Sequence, residues 1–181
     1  MKTLYINIFG SPGSGKSTFA AELFSVMKKT CGNLTIEYVN EFAKQFCFDD
    51  RKNPIFDNPL NQLYIGVNQF YNIYRLDGKI DVVITDSPFM MSCIYNNSPL
   101  LSFHYDAMVK NIFCNYENLN VMLKLQNFDY QQSGRNESKS ESLQLEKRLI
   151  DLLDKNSIPY IETRDCKKII ELAINKIKCL D

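Results

Sequence analysis

The chain has 181 residues, and its 21 lysines and arginines balance its 21 aspartates and glutamates. This length suits one folded domain, and a composition of 45% hydrophobic and 23% charged residues excludes a disordered chain. Zero net charge disfavours a basic field that would draw the protein onto a nucleic-acid backbone. The six cysteines form no C-x-x-C pair, which argues against a zinc ribbon or a redox dithiol.

Apolar runs in the chain are short. None approaches the roughly 20 residues that a membrane-spanning helix needs, and the first predicted strand starts near Met1, which leaves no room for a signal peptide. We therefore expect a cytoplasmic protein with reduced thiols and no membrane partner. The sequence makes no prediction of oligomeric state.

Apolar runs alternate along the chain with apolar stripes at helical spacing. The runs predict β-strands at Leu4–Phe9, Leu34–Val39, Asp81–Thr85, Val121–Leu125 and Ile158–Glu162. The stripes predict helices at Lys16–Lys29, Glu41–Phe46, Leu60–Tyr74, Tyr105–Tyr116, Ser138–Leu153 and Cys166–Ile177. This alternation predicts a single α/β domain, a five-stranded parallel sheet with helices on both faces. Its ligands should bind at the carboxyl ends of the strands.

The first strand is followed by Gly10-Ser11-Pro12-Gly13-Ser14-Gly15-Lys16-Ser17, which matches G-x-x-x-x-G-K-[ST]. Glycines let successive backbone N–H groups turn toward phosphate oxygens, and the following helix adds its positive amino-terminal dipole. Lys16 should follow the transferred phosphate, and Ser17 should hold Mg²⁺. The motif predicts a nucleoside triphosphate site formed by Gly10, Ser11, Gly13, Ser14, Gly15, Lys16, Ser17 and Thr18.

Asp86 comes directly after the third predicted strand. Its carboxylate could reach Mg²⁺ or the attacking group; the alternative is an aspartate that only forms the turn before Pro88. A hydrolytic ATPase of the motor or AAA+ type usually carries a glutamate beside this aspartate, where this chain has Ser87. A GTPase would need a D-x-x-G turn and an N-K-x-D motif, and both are missing. The pattern favours phosphoryl transfer over hydrolysis.

A polar segment at about residues 127–140 lies between the fourth strand and the next helix. It is predicted to form a lid that excludes water. Arg135 within it is a candidate for stabilising charge on the transferred phosphoryl group. The alternative interpretation is a solvated segment that leads into a helix.

Residues after the second strand are candidates for the acceptor side. Glu41 could accept the proton of an acceptor hydroxyl, or it could only favour a helix dipole. Lys44 and Gln69 would add polar specificity. Four aromatic residues could stack on a flat substrate ring or belong to the core: Phe42, Phe46, Tyr64 and Phe70.

The segments "FGSPGSGKST", "EYVNEFAKQF", "YIGVNQFY", "VVITDSP" and "SGRNESKSES" occur in an order that resembles P-loop nucleoside and nucleotide kinases. Within that superfamily they are similar to nicotinamide riboside kinase domains of the NadR type and their bacteriophage-encoded relatives. The resemblance implies ATP and Mg²⁺ at Lys16 and Ser17, an acidic group at Asp86, and a lid arginine at Arg135. It also implies an acceptor region near Glu41 and Gln69 and adenine contacts near Thr163 and Arg164.

The chain departs from this family at two positions. Lys44 stands where relatives often have an arginine, and Ser87 stands where thymidylate and deoxynucleoside kinases usually have one. Of the five arginines, only Arg51 and Arg75 lie in the expected acceptor half. A phosphate acceptor normally needs several arginines, so the sequence favours a hydroxyl acceptor.

The leading hypothesis is therefore an ATP- and Mg²⁺-dependent kinase that phosphorylates a hydroxyl of a small nucleoside-like molecule. Three alternatives stay open. They are a nucleoside monophosphate kinase, a kinase of a modified base or hydroxyl within DNA, and a module that senses ATP without transferring phosphate. The neutral net charge disfavours a nucleic-acid partner.

Overall fold

The computed structural model describes residues 2–47, 59–96, 102–125 and 138–180. Its five strands form one parallel sheet in the order β2-β3-β1-β4-β5. The strands are β1 (Leu4–Phe9), β2 (Ile36–Val39), β3 (Val82–Thr85), β4 (Glu117–Met122) and β5 (Ile161–Glu162). The helices are α1 (Lys16–Thr30), α2 (Pro59–Tyr74), α3 (Ser92–Tyr95), α4 (Ser102–Cys114), α5 (Lys139–Lys155) and α6 (Cys166–Lys178). The predicted α/β fold is confirmed.

The central strand β1 is buried on both faces. Leu4, Ile6 and Ile8 pack into a core shared with α1 and α6. Tyr5 and Phe9 point the other way, into a core shared with α2, α3, α4 and α5. Side chains alternate between the faces of a strand, so an unbroken apolar run is the pattern that a strand between two helical layers requires.

The register brings several strand ends to one edge of the sheet. β1 pairs with β3 up to Asn7 beside Thr85, and β2 pairs with β3 up to Val39 beside Thr85. β1 pairs with β4 up to Phe9 beside Met122. The chain after each of these strands therefore leaves from the same edge, as the parallel arrangement predicts.

Strand β4 differs from its predicted position. It runs from Glu117 to Met122, whereas the apolar pattern predicted Val121–Leu125. Its first four residues include two asparagines, Asn118 and Asn120, which interrupt the hydrophobicity pattern of a strand. Asn7 Nδ2 of β1 donates to Oδ1 of Asn118 at 2.8 Å and of Asn120 at 3.0 Å. This pairing satisfies polar groups that would otherwise be costly to bury.

Other differences involve short elements. β2 begins at Ile36 rather than at the predicted Leu34, and β5 begins at Ile161 rather than Ile158. The short helical piece predicted at Glu41–Phe46 is present, as a 3₁₀ helix at Phe42–Cys47. A second 3₁₀ helix at Phe89–Met91, which continues into α3, was not predicted. All three of its residues are buried, so it lacks the amphipathic stripe that would reveal a helix.

The predicted start of α5 is confirmed in detail. Ser138 is its N-cap, and Ser138 Oγ accepts from the Glu141 N–H while the Glu141 carboxylate accepts from the Ser138 N–H at 2.7 Å. The hydrogen bonds that the Ser138 N–H and the Ser138 hydroxyl donate to the Glu141 carboxylate lower the pKa of Glu141. Residues 138–140 of the predicted lid therefore begin α5, and the rest of the lid lies outside the described residues. None of the helices described is both long and apolar enough to cross a membrane.

Candidate functional site

The loop between β1 and α1 needs glycine at two positions for different reasons. At Gly10, an added Cβ would contact Ser14 Oγ and lie 2.6 Å from the carbonyl oxygen of Leu123. Gly15 has φ of +84°, a left-handed conformation that side chains with a Cβ disfavour. The glycines of the motif thus permit a tight loop whose backbone lies directly before the amino terminus of α1.

Two hydroxyls inside this loop are buried without a hydrogen-bond partner among the described residues. They are Ser11 Oγ and Ser14 Oγ. A buried polar group without a partner is costly, and phosphate oxygens supply acceptors for such hydroxyls. Lys16 Nζ lies 3.1 Å from the Ser11 carbonyl oxygen, so its ammonium group bends back over the loop. This geometry fits the phosphate-binding loop that the motif predicts, and residues 10–17 are called the phosphate loop below; their binding of phosphate stays a prediction.

Asp86 follows β3, the strand next to β1, and is only 1% exposed. Its Oδ1 has no hydrogen-bond partner in the described part of the chain. A buried carboxylate with an unpaired oxygen is expected to bind a cation or a proton donor. Ser17, half-buried in the first turn of α1, offers a second oxygen. Mg²⁺ is commonly held by one or two carboxylates and by substrate phosphates, so these residues fit the implied metal.

Tyr38 in β2 was not predicted as a site residue, but its hydroxyl lies near enough to Asp86 and Glu41 to be affected by their negative charges. Burial raises the pKa of Tyr38, and the negative charges of Asp86 and then Glu41 raise it further. These three residues therefore lie in one electrostatic environment at the carboxyl edge of β2 and β3. A half-buried tyrosine in a strand is usually a packing residue, which is why the sequence did not single it out.

Gln69 of α2 is buried, and both ends of its amide are bound by the protein. Its Oε1 accepts from the backbone N–H of Phe42 at 2.8 Å, and its Nε2 donates to the Ser87 carbonyl at 3.0 Å. Gln69 thus links α2 to the segments that follow β2 and β3. Its predicted contact with substrate stays a prediction.

The predicted aromatic candidates separate into two groups. Phe42 lies against Phe46 and Tyr64, with ring centroids 5.5 and 5.8 Å apart. Tyr64 is 51% exposed, so this trio borders solvent. Phe70 instead packs on Tyr74 at 5.0 Å within the core. The trio keeps its predicted stacking role as a hypothesis, and Phe70 is a partly buried residue that packs against the core.

Arg164, in the segment between β5 and α6, contacts the phosphate loop directly. Its Nη2 donates to the carbonyl oxygens of Ser14 at 2.7 Å and of Lys124 at 2.8 Å. A cavity of about 190 Å³ lies beside it, lined by residues after β4 and β5 that include Leu123 and Thr163. The region expected to contact adenine is therefore also in contact with the phosphate loop.

Comparison with known proteins identifies the family. The sequence pattern of an AAA domain matches residues 5–167. The chain belongs to this AAA domain family. No curated protein matches it at a significant level.

Two solved structures share the fold of this AAA domain. Deoxyadenosine kinase from M. mycoides, solved with bound dATP, is 20% identical, with a TM-score of 0.57 over 96% of this chain and 99% of that chain. Thymidylate kinase from Ehrlichia chaffeensis is 14% identical, with a TM-score of 0.61 over the whole of both chains. Similarity at these identities shows the P-loop kinase fold.

In this AAA domain the carboxyl edge of the sheet brings together the phosphate loop, Asp86 and Glu41. Lys44 is exposed in the 3₁₀ helix after β2, which also contains Phe42 and Phe46. Arg135 lies outside the described residues, and its role in phosphoryl transfer stays a prediction from the sequence. The roles of the other site residues are proposals that follow from this placement.

Proposed function

We propose that the protein is an ATP- and Mg²⁺-dependent phosphotransferase that moves the γ-phosphoryl group to a hydroxyl of a nucleoside-like substrate. The observation that carries the proposal is Asp86, buried beside the phosphate loop with Oδ1 unpaired among the described residues and with Ser87 as its neighbour. Hydrolysis would call for a carboxylate that activates water at the Ser87 position. The resemblance to nicotinamide riboside kinase domains, carried by the order of the motifs, supports a small acceptor.

The charges on the acceptor side support a hydroxyl acceptor. Asp86 and Glu41 both contribute negative charge at the Tyr38 hydroxyl. The Glu41 carboxylate, which holds no metal in this proposal, would repel a second phosphate, whereas a neutral hydroxyl can donate a hydrogen bond to it. The exposed aromatic trio around Phe42 offers faces on which a flat ring can stack.

The proposal gives each site residue a separate role in the reaction. Backbone N–H groups of the phosphate loop and Lys16 bind the triphosphate and hold the γ-phosphoryl group in place. Ser17 and Asp86 would hold Mg²⁺, which when bound would supply positive charge to neutralise the phosphate oxygens. Glu41 is proposed to accept the proton of the acceptor hydroxyl. The proposal places Arg135 over the transferred group and Lys44, Tyr64 and Gln69 around the acceptor.

The test is incubation with γ-labelled ATP and Mg²⁺ together with separate nucleosides, nicotinamide riboside, nucleoside monophosphates and oligonucleotides. We expect label in a nucleoside or nicotinamide riboside product, and none with the Lys16→Ala variant. Labelled diphosphate would instead identify a nucleoside monophosphate kinase, and labelled oligonucleotide a DNA-directed kinase. ATP binding without any labelled product or phosphate release would identify an ATP-sensing module.

Hydrolysis of ATP is a second candidate, because the chain belongs to an AAA domain family. An ATPase would release phosphate from ATP as fast in the absence of an acceptor as in its presence. We expect acceptor-free release to be slow, because no glutamate follows Asp86. Fast release that no acceptor accelerates would replace the kinase proposal with an ATPase.

A further inference from the structure

Arg164 connects three parts of the fold that lie far apart in sequence. It follows β5, and its Nη2 donates to the carbonyl of Ser14 in the phosphate loop and to the carbonyl of Lys124 just after β4. Both acceptors are backbone atoms, so the contacts act on the path of the main chain. Lys124 also forms an ion pair with Glu162 at 2.8 Å, which joins the same two strand ends.

The contact with Ser14 has a consequence for the next residue. A peptide unit is planar and trans, so its C=O and its N–H point in opposite directions. A Ser14 carbonyl held toward Arg164 therefore turns the N–H of Gly15 to the opposite side. Gly15 is the N-cap of α1, whose first N–H groups have no partner within the helix and are available to an anion.

We propose that Arg164 is a positioning residue that fixes the Ser14–Gly15 peptide so that the Gly15 N–H faces the phosphates. Gly15 has φ of +84°, and because glycine has no Cβ and adopts either sign of φ, this peptide can rotate readily in the absence of a constraint. Arg164 supplies that constraint. Its guanidinium group lies close to Gly15, because a Cβ added at Gly15 would be 3.5 Å from Arg164 Nη1. Its effect on ATP passes through the loop backbone and needs no contact with the base.

The inference rests on the proposed binding of a triphosphate at this loop, and it competes with a direct contact between Arg164 and adenine. The two roles differ in how they respond to a ligand without a base. A positioning role weakens ATP and inorganic tripolyphosphate by the same factor. A contact with the base weakens ATP and leaves tripolyphosphate binding unchanged.

The test is calorimetric titration of ATP and of tripolyphosphate into the wild type, Arg164→Ala, Arg164→Lys and the control Lys167→Ala. Lys167 is exposed at the start of α6, and its replacement removes one positive charge near Arg164 without touching the loop. We expect Arg164→Ala to weaken both ligands by about tenfold, the loss of a charged donor to backbone carbonyls. Arg164→Lys should recover part of the affinity, because one ammonium group can still donate to the Ser14 carbonyl.

Thermal unfolding of each variant without ligand separates positioning from stability. A positioning role predicts a melting temperature for Arg164→Ala close to that of Lys167→Ala, with the loss confined to phosphate binding. Unchanged tripolyphosphate affinity in Arg164→Ala would overturn the inference and leave the proposed kinase intact. If the wild type binds neither ligand, the proposed function itself fails and the inference fails with it.

Discussion

At the scale of single residues, Asp86 is the described residue whose surroundings best support the proposed reaction. It is buried, it follows the strand beside the phosphate loop, and its Oδ1 is unpaired among the residues described. Asparagine has nearly the same shape but no charge. We expect Asp86→Asn to lower the turnover of ATP by at least about a hundredfold, because a metal-held phosphoryl group relies on several kcal/mol of charge stabilisation. The measurement is kcat as a function of Mg²⁺ concentration.

The matched control for this variant is Asp151→Asn, an exposed aspartate near the carboxyl-terminal end of α5. It loses the same charge away from the sheet edge and should keep the turnover of the wild type. If Asp86→Asn retained wild-type turnover at every Mg²⁺ concentration, Asp86 would be the turn-forming residue that the sequence also allowed.

The phosphate loop and Asp86 could be predicted because a local signal marks them. Gly10 to Ser17 form a contiguous motif, and Asp86 ends an apolar run. Tyr38 carries no such signal, because only the pairing of β2 with β3 brings its hydroxyl near Asp86. A residue whose role depends on a neighbour from another strand cannot be recognised from its own surroundings in the sequence.

At the scale of elements, α2 contains a glycine that helix propensity alone would not select. Gly66 is buried, and an added Cβ would collide with the hydroxyl of Tyr105 in α4. Alanine normally stabilises a helix interior by about 1 kcal/mol relative to glycine. We expect Gly66→Ala to lower the free energy of unfolding instead, by about 1–3 kcal/mol, because overpacking against a rigid buried ring outweighs that gain. Denaturant unfolding measures the change.

Tyr105, whose hydroxyl the added methyl group would meet, provides the control. Tyr105 Oη is buried and has no hydrogen-bond partner in the described chain, so Tyr105→Phe should be close to neutral. In the double variant the ring no longer carries the hydroxyl that the new methyl group meets, and most of the lost stability should return. Strictly additive effects would show that the two residues do not meet.

The start of strand β4 could not be predicted from the hydrophobicity of its sequence. Its polar residues Asn118 and Asn120 accept hydrogen bonds from Asn7 of β1, more than a hundred residues earlier in the chain. Hydrophobicity alone predicts a loop at Asn118 and Asn120, because it contains no information about a hydrogen-bond partner on the adjacent strand. By contrast, the start of α5 at Ser138 was predictable because the capping box is formed within four residues.

At the scale of the whole molecule, buried tyrosines make folding sensitive to high pH. Burial raises the pKa of Tyr5, and its hydrogen bond to Asp77 and the charge of that aspartate raise it further. The pKa values of Tyr38 and Tyr74 are also raised, with burial again the largest cause. All three start from a usual value of 10.0. These groups stay protonated in the fold under conditions in which the unfolded chain would ionise them.

A group whose pKa is higher in the folded than in the unfolded protein contributes its full stabilisation at pH values below the unfolded pKa. This contribution decreases as the pH rises above the unfolded pKa. We therefore expect the free energy of unfolding to be insensitive to these tyrosines below about pH 10 and to fall as the pH rises further. Denaturant unfolding at a series of alkaline pH values measures the fall. The phenolate absorbance of the buried tyrosines should rise together with the loss of helical circular dichroism, as a step separate from that of exposed tyrosines such as Tyr64.

Tyr5→Phe serves as the comparison for this alkaline transition. It removes one of the raised groups, so its stability should fall less steeply with pH than that of the wild type. If phenolate absorbance rose fully while the helical signal was intact, the tyrosines would be ionising in the folded protein, and burial would not be protecting them.

The sequence by itself determined the alternation of strands and helices, the phosphate loop and the capping box of α5, because each is encoded by residues within a few positions of one another. Only the tertiary structure decided the extent of β4, the bound state of Gln69 and the contact between Arg164 and Ser14, which are 150 residues apart in the chain. These features depend on which strands become neighbours. That choice is made by burying two apolar faces of one sheet together, and no local pattern of residues records it.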